Sequence, residues 1–372
     1  MTKAMRVLQV NLNNKGGVFA LMYQAQIKLY PEIIFDYFSP NKFVNDDRLN
    51  TVLSLDSHIE EDDISGSRFL KQIVLHDDFE KYLMENHYDI VHIHSDTSWK
   101  LAVYALAAQK AGVKNIICHS HSSGINGHYK ALNRILHFAF RPVINRTATV
   151  RCACSHYAAQ WMFGTENGIE YISNGVDAEG MRFCKKARSQ IRNELGVKED
   201  TVIITAVGDF SYQKNPQFIL KLMKVLREDN RYRFLMVGGG EYKERFESEI
   251  RKTGLDDIVI FTGAVTNVAD YLSASDIYIM PSRFEGLPIS ALEAEANGAY
   301  VIVSTKITPE TEKSVLYQAV DLKVSMWVDT IRKIKFDYDR ENRSSYLIAD
   351  VVDIGNAAKQ LKKLYEKLSI RE

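Results

Sequence analysis

The chain lacks a long apolar segment, a net charge and paired cysteines. No apolar run approaches the roughly 18 residues of a membrane-spanning helix, and the N-terminal segment has no apolar stretch typical of a signal peptide. Basic and acidic residues number 47 each, so no overall field favours nucleic acid. The four cysteines show no paired CxxC spacing, which disfavours a zinc site or a disulfide framework. These features predict a cytoplasmic protein that binds neither nucleic acid nor metal.

Strand-like and helix-like segments alternate along 372 residues, too many for one ordinary core. Strands are predicted at 6–11, 33–38, 90–94, 115–119 and 149–153, and again at 201–207, 233–237, 258–261, 276–280 and 300–304. Helices are predicted between them, for example at 99–111, 129–144, 216–227 and 242–252. This alternation predicts an α/β fold of two Rossmann-like domains, whose parallel sheets bind ligands at the C-terminal ends of their strands.

The segment 280–298 carries the most chemical information. The apolar run at 276–280 predicts a buried strand, and Pro288 suits the first position of a following helix. Backbone N–H groups at a helix N-terminus bind phosphate, because they point outward and the helix dipole favours an anion. Gly286, Leu287 and Ile289 supply such groups, and Pro288 has none to donate.

Two glutamates accompany this helix start. Glu285 precedes the helix, and Glu293 within it is expected to point back toward the same end. The simpler interpretation is that each acid only stabilises the helix, by about 0.3–1 kcal/mol. However, the whole run from Pro281-Ser282 through Glu285-Gly286-Leu287-Pro288 to Glu293 resembles the signature of retaining glycosyltransferase family 4.

The resemblance implies the GT-B fold, with two Rossmann-like domains facing across a cleft. Residues 1–172 would form the acceptor-side domain, 173–355 the nucleotide-sugar domain, and 356–372 a helix that packs back on the first domain. The segments 119–123 and 153–164 resemble the bacterial capsule and exopolysaccharide branch of the family. The implied reaction moves a sugar, with retention, from a UDP-sugar to a saccharide or lipid-linked oligosaccharide. No cofactor or metal is implied, since the nucleotide sugar is a substrate.

The resemblance also implies roles in donor binding. Glu285 would bind hydroxyls of the donor sugar, and Glu293 those of the ribose. Lys214 matches the lysine that, with the amides at 286–289, binds the diphosphate. Asp209 occupies the position of the family's arginine, so one charge-assisted contact, worth about 1.5–3 kcal/mol, is lost there.

Other cations and glycines are further candidates for the donor site. Lys15 and Arg283 could replace the missing arginine. Gly16 and Gly17 follow the first strand, where the family carries a glycine pair that lets backbone approach the donor. In the family the loop with Gly238 and Gly240 surrounds the nucleobase, and its spacing is a poor dinucleotide fingerprint.

Histidines end two successive predicted strands of the first domain. The family places a histidine near the transferred sugar, and His121 matches it best, with His119 as the second candidate. Two histidines in a polar loop at a strand's C-terminal end are more often at a ligand than in a core. His92 and His94 at the end of the preceding strand are expected to line the same wall.

The predicted helix at 129–144 carries Lys130, Arg134, His137 and Arg141 at spacings of four, three and four. This stripe is either a solvated face or a surface that meets an anionic acceptor at the membrane. The second interpretation predicts peripheral contact with the inner face of the plasma membrane through Lys130, Arg134 and Arg141.

Other functions compatible with the sequence are a nucleotide-sugar epimerase or hydrolase of the same fold, or a binding protein weakened by Asp209. An NAD-dependent oxidoreductase is disfavoured because the fingerprint glycines are missing. Asp337-x-Asp339 resembles the DxD motif of a different glycosyltransferase fold, but its charged surroundings predict an exposed segment.

Overall fold

The computed structural model of the protein describes residues 4–14, 16–62, 68–127, 129–336, 339–341 and 352–370. The chain divides into two compact units, one of Met1–Gly175 with Ile354–Glu372 and one of Val176–Asp353. Among the described residues, no helix is both long and apolar enough to cross a membrane.

Over its described residues, the first unit forms a parallel sheet of seven strands with helices between them. The strands are β1 (Met5–Val10), β2 (Ile33–Ser39), β3 (Ile59–Glu61), β4 (Ile90–Ser95), β5 (Asn115–Ser120), β6 (Val150–Ala153) and β7 (Ile169–Tyr171). The helices are α1 (Gly17–Leu29), α2 (Asp47–Ser54), α3 (Arg68–Glu85), α4 (Ser98–Lys110), α5 (Lys130–Thr147) and α6 (His156–Phe163). Every residue of β2 and β4 is buried, as expected for parallel strands covered on both faces.

In the described part of the second unit, this architecture is repeated with six strands. They are β8 (Val202–Val207), β9 (Tyr232–Val237), β10 (Val259–Gly263), β11 (Ile277–Met280), β12 (Tyr300–Ser304) and β13 (Tyr317–Val320). The helices are α7 (Lys185–Glu194), α8 (Pro216–Leu226), α9 (Lys243–Lys252), α10 (Val268–Ala274), α11 (Ile289–Ala296) and α12 (Val324–Lys333). The last described helix, α13 (Ile354–Ser369), returns to the first unit and packs against α1.

The strand order places a switch point in each sheet. The first sheet runs β3-β2-β1-β4-β5-β6-β7 and the second β10-β9-β8-β11-β12-β13, with parallel neighbours throughout. The order reverses between β1 and β4 and between β8 and β11, where ligands bind in open α/β sheets. The structure confirms the predicted α/β fold with two Rossmann-like halves. It also adds the short strands β3, β7 and β13, which the sequence analysis missed.

Candidate functional site

Two loops meet at the switch point of the second sheet. The loop at 208–215 follows β8, and the loop at 281–288 follows its neighbour β11. The Arg283 backbone N–H donates to the Gln213 carbonyl at 2.8 Å, and Asn215 Nδ2 donates to the Pro281 carbonyl at 3.0 Å. These bonds hold the two loops together and so bring their side chains to one place.

Lys214 and Glu285 form an ion pair across these loops. Lys214 Nζ lies 2.9 Å from Glu285 Oε1, and Gln213 Nε2 donates to Glu285 Oε2 at 2.7 Å. The Glu285 side chain is only 7% exposed, whereas that of Lys214 is 26% exposed. The carboxylate is therefore fixed in place, and the ammonium group stays within reach of a ligand.

Glu293 adds a second carboxyl group near Lys214. It lies in α11 and is half-buried. Burial raises the pKa of Glu293 to about 7, and the charge of Lys214 partly opposes that rise. The structure thus brings Lys214, Glu285 and Glu293 together. The raised pKa means that the carboxyl group of Glu293 ionises close to neutral pH.

The turn into α11 contains the three residues expected to present amides to a phosphate. Gly286 and Leu287 are buried in the turn, and Ile289 is the first helical residue. Pro288 has extended backbone angles and caps the helix, so its predicted place as the first helical residue is wrong by one position. The Tyr278 hydroxyl donates to Ser290 Oγ at 2.9 Å and ties the start of the helix to β11.

Asp209 is exposed in the loop after β8 and lines a small cavity beside Lys214. Arg283, one candidate for the missing cation, is bonded to the loop after β8. Its Nη1 donates to the Tyr212 carbonyl at 2.8 Å, and its guanidinium lies 4.4 Å from the centre of the Tyr212 ring. The other candidate, Lys15, lies outside the described residues.

The glycines after β9 allow two loops to pack closely. A Cβ on Gly238 would lie 2.2 Å from the Gly208 carbonyl oxygen, and one on Gly240 would lie 2.7 Å from the Phe210 nitrogen. Both glycines have φ angles, 134° and 110°, that other residues rarely adopt. This packing accounts for the glycines without a ligand, and their predicted place near the nucleobase stays a prediction.

Gly16 and Gly17 lie at the start of α1, at the end of the loop that follows β1. Both are exposed, and a Cβ on Gly16 would meet only the Asn13 carbonyl oxygen at 4.0 Å. Protein packing therefore does not require glycine at position 16. The space beside Gly16, at the switch point of the first sheet, is open.

Four histidines cluster at the C-terminal ends of β4 and β5. His92 Nε2 lies 3.0 Å from His119 Nδ1, and His94 Nδ1 lies 2.8 Å from His121 Nε2. Burial lowers the pKa of all four histidines, and it lowers that of His121 to about 3. The cluster is therefore neutral at physiological pH.

Sequence reasoning missed two polar partners of this cluster, Gln9 of β1 and Tyr365 of α13. The Tyr365 hydroxyl lies 2.7 Å from His92 Nδ1, and Gln9 Oε1 lies 2.8 Å from His94 Nε2. The sequence did hold one sign of Gln9's role, because this polar residue interrupts the apolar run of β1, where it is buried. Nothing local in the sequence could have predicted the contact of Tyr365, which is 273 residues from His92.

Ring nitrogens of His92, His94 and His119 lie within 4.8 Å of one another, close enough to be considered for a metal. However, both ring nitrogens of His92 and of His94 already have hydrogen-bond partners. A metal would have to break these bonds. Asp337 of the predicted exposed segment lies outside the described residues.

The predicted basic stripe on α5 is wrong at His137. This ring is fully buried, lies 2.9 Å from the Trp161 carbonyl and stacks on the Trp161 ring. Arg141 is half-buried and donates to the same carbonyl at 2.6 Å. The helix instead exposes an apolar row, with Leu132 52%, Ile135 66% and Phe138 44% accessible.

Two family profiles match the chain. Glycosyltransferase Family 4 matches residues 59–179, and Glycosyl transferases group 1 matches residues 187–315. Together the two ranges cover about two thirds of the chain.

Three relatives are similar over much of the chain. EpsF of Bacillus subtilis, named as a glycosyltransferase, is 30% identical over 249 residues, which are 65% of each chain. An Escherichia coli UDP-Gal:alpha-D-GlcNAc-diphosphoundecaprenol alpha-1,3-galactosyltransferase is 27% identical over 60% of this chain and 59% of its own. The capsular polysaccharide biosynthesis glycosyltransferase CapH of Staphylococcus aureus is 25% identical over 77% and 79%, respectively. The chain therefore spans less than two thirds of the full length of the B. subtilis and E. coli relatives.

A solved structure shares the whole fold. The crystal structure of Anabaena HepE in complex with UDP and glucose superposes with a TM-score of 0.78 at 17% identity. The match covers 97% of this chain and 99% of that one. The fold is therefore GT-B.

Proposed function

The chain belongs to glycosyltransferase family 4, and from this membership we propose that it is a retaining, metal-independent glycosyltransferase that uses a UDP-sugar. In the proposed reaction, the bond between the anomeric carbon and the diphosphate breaks. The acceptor oxygen bonds to that carbon on the same face, and its proton passes to the oxygen of the departing diphosphate. The cluster of Lys214, Glu285 and Glu293 is the observation that carries the proposal.

Each member of the cluster fits one part of the donor. The ammonium group of Lys214 stabilises the charge that develops on the leaving diphosphate, together with the amides around Gly286, Leu287 and Ile289. Glu285, held by its ion pair and by Gln213, accepts hydrogen bonds from the donor sugar. Glu293 binds the ribose hydroxyls best in its ionised form, because a carboxylate accepts stronger hydrogen bonds.

The first unit is assigned to the acceptor. His121 is the residue proposed to steady the transferred sugar and its developing charge. The E. coli relative acts on a diphosphoundecaprenol-linked sugar, and CapH is named for capsular polysaccharide synthesis. These names support a saccharide or lipid-linked oligosaccharide acceptor in the synthesis of a surface polysaccharide.

Helix α5 is the proposed contact with the inner face of the plasma membrane. Its exposed Leu132, Ile135 and Phe138 can enter the boundary between headgroups and acyl chains, with Lys130 and Arg134 near anionic headgroups. Arg141 adds less to this contact than the sequence suggested, because it is bonded to the Trp161 carbonyl. The proposed location of the protein is the cytoplasm, in association with the membrane.

A thermal-shift screen against UDP- and GDP-sugars tests the donor assignment, followed by incubation with lipid-diphosphate saccharides. At least one UDP-sugar should raise the melting temperature and donate its sugar with retained configuration. The proposal is overturned if no UDP-sugar raises the melting temperature. An epimer formed from donor alone would instead indicate an epimerase.

A further inference from the structure

A buried polar network connects Gln9 to His119 through Tyr365 and His92. Gln9 Nε2 donates to the Tyr365 hydroxyl oxygen at 3.2 Å, and this hydroxyl lies 2.7 Å from His92 Nδ1. His92 Nε2 lies 3.0 Å from His119 Nδ1. Gln9, Tyr365, His92 and His119 have no exposed surface, so water cannot replace these bonds.

The direction of each bond follows from the number of protons. A neutral histidine carries one ring proton, and a tyrosine hydroxyl carries one. The buried Tyr365 hydroxyl contacts Gln9 Nε2, which can only donate, and His92 Nδ1. Among the described residues the tyrosine proton would otherwise have no acceptor, so we assign it to a hydrogen bond with His92 Nδ1. His92 then carries its proton on Nε2 and donates to His119 Nδ1, so His119 carries its proton on Nε2.

A second branch runs from the other side of the same amide. Gln9 Oε1 lies 2.8 Å from His94 Nε2, and His94 Nδ1 lies 2.8 Å from His121 Nε2. An amide oxygen only accepts, so His94 carries its proton on Nε2 and accepts at Nδ1. His121 must then donate from Nε2, which leaves its Nδ1 as a bare lone pair.

The two branches end in atoms of opposite character. Within the described residues, His119 Nε2 and His121 Nδ1 are buried and have no hydrogen-bond partner. Their rings are neighbours, with centres 4.0 Å apart. One atom is an N–H donor and the other an acceptor. Reversing the Gln9 amide would exchange these two roles but would keep them opposite, because an amide has one donor and one acceptor side.

We propose that Gln9 and Tyr365 are positioning residues that set the tautomers of His119 and His121, so that the two histidines present a matched donor and acceptor to one substrate hydroxyl. Because His121 is partly exposed, a hydroxyl that enters beside its ring would accept a hydrogen bond from His119 Nε2 and donate one to His121 Nδ1. This inference rests on the proposed glycosyl transfer for its substrate, but the tautomers do not depend on activity.

Nitrogen NMR of the full chain with ¹⁵N-labelled histidine tests the tautomers at pH 7.5. Signals are assigned by replacing each histidine of the cluster in turn. All four should be neutral with the proton on Nε2. Protons on Nδ1 of all four would indicate the reversed Gln9 amide, which keeps the matched pair. A mixture of Nδ1 and Nε2 protons among the four, or a doubly protonated ring, would overturn the assignment.

Two variants test the coupling. Tyr365→Phe removes the proton donated to His92, so His92 and His119 should lose their single tautomer while His94 and His121 keep theirs. Gln9→Leu should disturb both branches. The control is Tyr37→Phe, which removes another buried hydroxyl of the first unit, one that donates to Gln26 Oε1 at 2.8 Å.

Activity provides a separate result. Tyr365→Phe should lower kcat by about tenfold, the size expected for a lost neutral hydrogen bond, and Tyr37→Phe should leave it unchanged. Equal losses in both variants, or unchanged tautomers in Tyr365→Phe, would contradict a positioning role. The predicted tautomers without any sugar transfer would contradict the proposed function and leave the tautomer assignment standing.

Discussion

Glu293→Gln should make the ligand-free protein more stable, because the native carboxyl group is held where its charge is unfavourable. Burial raises the pKa of Glu293 from 4.5 to about 7, and this value already includes the attraction of Lys214. Such a rise corresponds to a cost of about 3 kcal/mol when the folded protein must carry the ionised group.

The effect depends on pH in a defined direction. The folded protein binds the Glu293 proton more tightly than the unfolded chain does. The stabilisation from this group is therefore complete below pH 4.5 and is lost as the pH rises through about 7. Glutamine cannot ionise. The free energy of unfolding of the variant should exceed that of the wild type by about 3 kcal/mol at pH 8, and by about 1 kcal/mol at pH 5.

Urea titrations at pH 5 and pH 8, without nucleotide, measure the free energy of unfolding. Glu228→Gln, which changes an exposed carboxyl group of the same unit, controls for the loss of one negative charge. The same stability difference at both pH values, or a less stable variant at pH 8, would refute the reasoning. Glu293→Gln should also bind the donor more weakly than the wild type. Such a trade-off is expected when a group is kept for function at the expense of stability.

Three further predictions address the proposed donor site and the proposed membrane contact. Lys214→Met should weaken UDP binding roughly ten- to a hundredfold in calorimetry, through the lost charge-assisted bond; unchanged affinity would remove Lys214 from the site. Asp209→Arg should strengthen UDP binding by a similar factor and Asp209→Asn by less, whereas weaker binding to the arginine variant would show that the loop holds no phosphate. Reversing Lys130 and Arg134 to Glu should reduce sedimentation with anionic vesicles, and reversing the exposed Lys28 and Lys81 to Glu should not; equal losses would indicate a general charge effect.

Local sequence patterns predicted the elements that position the proposed donor site. The apolar runs ending at Val207 and Met280 identified β8 and β11, and the motif around Glu285 placed the following helix within one residue. The ion pair of Lys214 with Glu285 was not predicted. It depends on hydrogen bonds between two loops that adjoin only because β8 pairs with β11.

Long-range contacts explain the remaining differences. His137 has the spacing of a surface stripe, but the Trp161 ring covers it, and no local pattern on α5 records that contact. Gln9 and Tyr365 are 356 residues apart and meet only because α13 returns to the first unit. Sequence reasoning therefore found the histidines that end the network but not the residues that orient them.

Calorimetric titration of UDP-sugar into the wild type and into Glu293→Ala tests the central claim most directly, with circular dichroism to verify that the variant is folded. The wild type should bind, and the folded variant should show no detectable binding. Equal affinity in both proteins, or no binding to the wild type, would contradict a donor site built from Lys214, Glu285 and Glu293.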